Sequence, residues 1–253
     1  MAVLLVATVV CGFSLNFASG RVSVAMLPIQ VHLHGMAFGG WTLLYLVQSW
    51  LVDKGSVALH RRLGWLGAAL TTAMIPLGIA VTAMAIQRGA VPFFFPTNIF
   101  LVLNIAGVVL FGALVAAAIG FRRRADWHPR LMHCAAVNLI APAFGRLLPM
   151  PLLGPWGPLG ILGMIVLYIG MGALFDLVVR RSVHRAWWWG LGATIAVNLA
   201  VVPIAGTAPV RALTGFLAKG RSGGQVAPIR VQSAKKGNGD APVRSRHSRT
   251  KWA

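Results

Sequence analysis

Seven times along this chain an apolar run of about twenty residues occurs with few or no charges inside it. Each is long enough to cross a hydrocarbon core about 30 Å thick as a helix. The runs lie at about 3–19, 31–52, 60–86, 97–121, 130–148, 158–180 and 186–206. Inside hydrocarbon every backbone N–H and C=O must be bonded within the protein, which leaves helices or a closed barrel. No run alternates as a barrel strand does. The expected fold class is therefore all-α, a polytopic transmembrane helix bundle of about seven spans, with six as the alternative. The first run opens MAVLLVATVV without a basic segment before it, and its FASG end is a poor cleavage site. It reads as a retained span rather than a signal peptide.

Composition supports a chain that lives in lipid. Of its 253 residues 57% are hydrophobic and 11% charged, where a soluble domain carries about 25% charged residues. An ordinary water-soluble globule is excluded. There are 23 Lys+Arg against 4 Asp+Glu, and all four acids are Asp. The lack of Glu argues against paired-carboxylate acid/base chemistry. Cys11 and Cys134 sit inside apolar runs, which indicates neither a disulfide framework nor a thiolate metal site. Nothing resembles a P-loop, a dinucleotide fingerprint, an HExxH motif or a nucleophile elbow.

The basic residues orient the spans. Lys54, Arg61, Arg62, Arg122, Arg123, Arg124, Arg130, Arg180, Arg181 and Arg185 follow or precede spans on one side; only Arg21, Arg88 and Arg146 fall on the other. This ten-to-three bias predicts that the first side is cytoplasmic in a bacterial inner membrane. Its expected partners are the bilayer and the anionic headgroups of that face. Trp187, Trp188 and Trp189 then mark the inner interface and Phe93, Phe94 and Phe95 the outer one. The transmembrane domain is placed at 1–206. Residues 207–253, with ten Lys+Arg and one Asp, read as a basic tail. From Lys219 onward Gly, Ser, Pro and basic residues dominate, a composition that does not build a core, and the tail 207–253 is expected to be disordered. No aromatic pattern accompanies the charge, so no specific nucleic-acid partner is expected.

Ionisable groups within spans are expensive and draw attention first. In span two, His34, Trp41, Tyr45 and Gln48 share one stripe, and His32 points elsewhere. The stripe serves a cavity or an interhelical hydrogen-bonded seam. In span three, Gly64, Gly67, Thr71 and Gly78 fall on the face of His60. Such a smooth groove suits a flat cofactor, and it equally suits close helix packing. In span five, Pro129 fits the first helical position and places His133 about one turn inside. His60 and His133 thus sit at matching depths, and two facing imidazoles are the simplest axial pair for a b-type haem. These two are the expected iron ligands, with His34 a further cofactor-binding residue lacking an obvious outer partner. Asp176 and Arg180, four apart, suit a local ion pair. Arg146 can snorkel, and Asn104, Asn138 and Asn198 suit interhelical ties.

At HLHGMAFGGWTLLYLVQSWLV, ALHRRLGW and RADWHPRLMH the chain resembles a group of bacterial multi-pass inner-membrane proteins. These carry HxHG, HRRLG and WHxRLM motifs opening successive spans, and have no assigned reaction. The resemblance covers about 1–215 and has no counterpart for the tail. It implies that His34, His60, Arg61 and His133 are the positions to weigh first. Cys134 and Asn138 stand where aliphatic residues are expected. The resulting functional expectation is a membrane protein holding a b-type haem or similar planar cofactor in a redox role. The alternative is a non-catalytic small-solute carrier or scaffold with structural histidines.

Overall fold

The computed structural model describes residues 1–18 and 27–219. All of these belong to one compact unit, Met1–Ser222. Among the described residues the regular structure is entirely helical: α1 (Ala2–Ala18), α2 (Ile29–Asp53), α3 (Val57–Gln87), α4 (Thr97–Gly120), α5 (His128–Leu139), α6 (Ala141–Leu147), α7 (Met150–Leu153), α8 (Gly157–Arg180), α9 (Arg185–Ala205) and α10 (Ala208–Lys219). A 3-10 turn at Gly154–Trp156 joins α7 to α8.

Among the described residues four stretches are long and apolar enough to cross a membrane: Val57–Gln87, Thr97–Gly120, Met150–Arg180 and Arg185–Ala205. The other three expected spans differ from these for physical reasons. Helix α1 is apolar but has only 17 residues. Helix α2 has 25 residues, and its His, Gln and Gly content dilutes its hydropathy. The fifth expected span, 130–148, is not one helix. Pro142 lacks an N–H and its ring crowds the carbonyl four residues back, so the helix breaks just before it. The chain passes the break through a tighter bond from Ala143 N–H to the Ile140 carbonyl, 2.9 Å.

Helix α5 forms the centre of the bundle. Arg130, Leu131, His133, Cys134, Ala135, Ala136, Val137 and Leu139 are all buried, against α4, α8 and α9. Small residues allow this closeness. A Cβ on Gly190 of α9 would run into the Cys134 side chain, and one on Gly12 of α1 into the Ala143 carbonyl of α6. Asn138 bridges α5 to α9 by donating to Thr194 Oγ1 at 2.9 Å. Asn104 and Asn198 instead bond carbonyls of their own helices. Arg146 lies over the Phe13 ring of α1, 4.2 Å from its centre.

The outside of the bundle is apolar. Trp65, Phe175, Val178, Trp188, Trp189 and Leu199 are all exposed, a surface that lipid tails solvate and water does not. Trp187 breaks the expected aromatic belt, because it is buried while its two neighbours are exposed. The basic tail was placed from 207; its first part, Ala208–Lys219, is a helix packed on α3, α4 and α9. The rest of the tail lies outside the described residues.

Candidate functional site at the histidine-rich end

Three loops meet at one end of the bundle. Those following α2, α4 and α8 carry or flank the ten basic residues that orient the sequence. Gln48 Nε2 of α2 donates to the His60 carbonyl at 3.2 Å, tying α2 to the start of α3. His128, the first residue of α5, donates from Nδ1 to the Ala118 carbonyl near the end of α4, 2.8 Å away. The His60 and His128 rings then lie 6.1 Å apart between centres, with their planes at 84°. The Nδ1 of His60 is buried and has no hydrogen-bond partner among the described residues.

Beside this pair the loops are held by a second histidine contact. His184 accepts from the Ala186 N–H through Nδ1 at 3.1 Å, capping α9. That leaves its Nε2 proton for Asp126 Oδ2, also 3.1 Å away. The Trp127 ring meets the His184 ring edge-on at 5.3 Å. Desolvation pushes the Asp126 carboxyl upward, but the hydrogen bonds from its own backbone and from His184 outweigh this and hold it below the usual carboxylate range.

A buried ion pair lies one turn deeper. Arg130 presents Nε and Nη2 to the two oxygens of Asp176 at 2.5 and 2.6 Å. Its Nη1 donates to the Asp126 carbonyl. Trp187 Nε1 donates to Asp176 Oδ2 at 2.7 Å. Every polar edge of the pair is therefore met, the condition under which a buried charge is tolerated. The expected partner, Arg180, is the weaker one: it stays 60% exposed and approaches Asp176 only to 3.6 Å. Arg130, counted from sequence only among the orienting basic residues, is thus the strut that joins α5 to α8, with Trp187 drawing in α9.

The other expected site residues go elsewhere. His133 is buried, and its Nε2 donates to the Tyr168 carbonyl at 3.2 Å. Its ring meets Trp187 edge-on at 5.4 Å. Tyr168 in turn pairs its hydroxyl with Thr8 at 2.7 Å, reaching α1. His34 stacks on Phe38 with ring centres 4.0 Å apart, and its buried Nδ1 has no partner. The groove under His60 is filled. Gly64 faces Gln48, Gly67 faces Leu44, and Gly78 faces Val108 and Phe38. Packing, not an open slot, explains those small residues.

The structure therefore pairs His60 with His128, and places His133 and His34 in separate surroundings. His128, Arg130 and Trp187 are the residues that sequence reasoning undervalued. The first two lie in the WHPRLMH stretch, beside Pro129 and among the basic residues that orient the spans. Trp187 carried no signal, since three successive Trp look like an interface belt. Among the described residues no group of three or more His, Cys, Asp or Glu is arranged to hold a metal ion. No family model, curated protein or solved structure matches this chain.

Proposed function

We propose that this chain is a seven-span protein of a bacterial cytoplasmic membrane that holds a b-type haem, or a comparable planar redox cofactor, at its cytoplasmic end. In this reading α1, α2 and the broken α5–α6 pair cross the bilayer together with the four longer stretches. The resemblance carried by the HxHG, HRRLG and WHxRLM motifs supports the same assignment. The observation that carries the cofactor is the meeting of two imidazoles at the end of an apolar bundle, one of them with a buried Nδ1 that no described residue bonds. An imidazole nitrogen buried without a partner is costly, and a ligand there removes the cost. A haem would carry the electron while the protein sets orientation and potential. Purified, detergent-solubilised protein should be coloured, with a Soret band that shifts on reduction. A colourless preparation that stays colourless on addition of haemin sinks the reading.

A second reading is favoured by a specific observation. His133 is engaged by the Tyr168 carbonyl and the groove beneath His60 is filled, as in a non-catalytic carrier or scaffold whose histidines tie helices together. That protein would be colourless, so one absorption spectrum separates the two.

A further inference from the structure

We propose that the cleft between α10 and the start of α4 binds the phosphate of an anionic phospholipid, held by Arg211. This site is independent of the cofactor reading and lies at the opposite end of the bundle.

The cleft is open and encloses about 410 Å³, within the range of about 300–1,000 Å³ over which small-molecule sites occur. Arg211, Thr214, Gly215 and Ala218 of α10 form one wall, and Thr97 and Asn98, the first two residues of α4, form the other. The α10 residues stand at i, i+3, i+4 and i+7, which is a single face of a helix. Both walls are fixed. Val210 of α10 packs on Val102, Val201 and Ala205. Asn98 Nδ2 donates to the Ala205 carbonyl at 3.0 Å, tying α4 to the end of α9.

The surroundings of the cleft are those of a lipid boundary. Helices α4 and α9 are both long and apolar enough to cross a membrane, and the cleft sits where one begins and the other ends, at headgroup depth. Leu213 and Phe216 of α10 are 47% and 74% exposed. They lie roughly 200° and 140° round the helix from Arg211, on the side away from the cleft. An apolar face of this kind is stable against acyl chains.

Charge selects the ligand. The described acids, Asp53, Asp126 and Asp176, all belong to the histidine-rich end, where they meet Lys54, His184 and Arg130. No described carboxylate is therefore at hand to neutralise Arg211. Its guanidinium offers a planar fork that matches two phosphate oxygens. Across the cleft, α4 starts at Pro96 without a side-chain cap, so the N–H groups of its first turn add to the attraction for an anion. Inorganic phosphate presents the same oxyanion, and the exposed Leu213 and Phe216 favour the lipid-borne one.

The test takes full-length protein in detergent and titrates it with phosphatidylglycerol, phosphatidylcholine or inorganic phosphate, counting bound species by native mass spectrometry. We expect one tightly held phosphatidylglycerol per chain and no retained phosphate ion. Arg211→Gln should weaken retention about fivefold, the factor that one basic residue contributes near an anionic surface. Gly215→Leu should weaken it as much while every charge is kept. A Cβ at Gly215 meets nothing within 4 Å, so the new side chain fills the cleft without a clash. Because this change also raises helix propensity, it decides the matter even where Arg211→Gln fails to fold. Arg88→Gln, at the same end but outside the cleft, should leave retention unchanged. Wild-type retention in both Arg211→Gln and Gly215→Leu overturns the site. Equal loss in Arg88→Gln also overturns it, since that marks a diffuse charge effect. Phosphatidylcholine held as tightly as phosphatidylglycerol overturns the choice of an anionic lipid. Inorganic phosphate retained through Arg211, with no lipid held, keeps the oxyanion site and overturns its lipid source.

Discussion

Asp176 is the residue on which most of this end depends. It is 4% exposed, bonded through both oxygens to Arg130 and through one to Trp187. Removing one member of a buried pair leaves a charge without compensation, at a cost of about 3–5 kcal/mol. Asp176→Asn and Arg130→Met should each lower unfolding stability in detergent by that order. The double variant Arg130→Met/Asp176→Leu should recover most of it, since apolar replacement of both partners removes the stranded charge. Additive losses in the double variant would show that the two residues do not act as a pair. Arg180→Ala should change stability by less than about 1 kcal/mol, as an exposed partner does. A neighbouring position tests the same packing from another side. A Cβ on Gly172 would collide with the Trp187 ring, whereas Gly170 faces open space. Gly172→Ala should cost about 1–3 kcal/mol through overpacking. Gly170→Ala should cost little, and equal melting of the two variants would contradict the packing described.

The elements divide into those that local sequence dictates and those that neighbours dictate. Helices α3, α4, α8 and α9 follow from long apolar runs, and their ends agree with the expected spans to within a few residues. Helix α5 does not behave as a separate span. Its residues are buried on nearly every face, and Pro142 ends its regular hydrogen bonding. Helix α10 is the clearest departure, because charge counting merged it with the basic tail. Its Thr214 is buried, and Asn98 of α4 donates to the Ala205 carbonyl just before it, at 3.0 Å. Truncation after Lys219 removes no apolar burial among the described residues and should leave thermal stability unchanged. Truncation after Gly206 removes α10 and should lower the melting temperature clearly. If the shorter deletion already destabilises the protein, the tail docks; if the longer one is harmless, α10 contributes nothing.

At the scale of the whole molecule the question is which way the bundle faces. The loops after α2, α4 and α8 meet through His60–His128, Trp127–His184 and Asp126–His184. The basic residues counted from sequence alone thus gather at one physical end, as a common membrane side requires. Reporter fusions at Lys54 and Arg123 should read as cytoplasmic and one at Arg88 as external. An external reading at Arg123 would reverse the orientation and place the histidine pair on the far side.

Much of this molecule was legible without coordinates. Its all-helical class, its apolar exterior and the clustering of basic loops are sums over single residues. Candidate spans need only the count of apolar side chains, and an expected orientation only the count of Lys and Arg. The histidines were different. Periodicity places His60, His133 and His34 on faces of their own helices. It says nothing of how far each helix turns or slides against its neighbours. Those choices belong to packing: Gly190 lets Cys134 of α5 approach α9, Gly172 admits Trp187, and Arg130 reaches Asp176 across two helices. Once α5 is seated that way, His133 meets the Tyr168 carbonyl, while His128, one and a half turns earlier, meets His60. A rotation of one helix about its axis changes which histidine faces the neighbour without changing any local preference. Only the tertiary contacts could therefore make that choice.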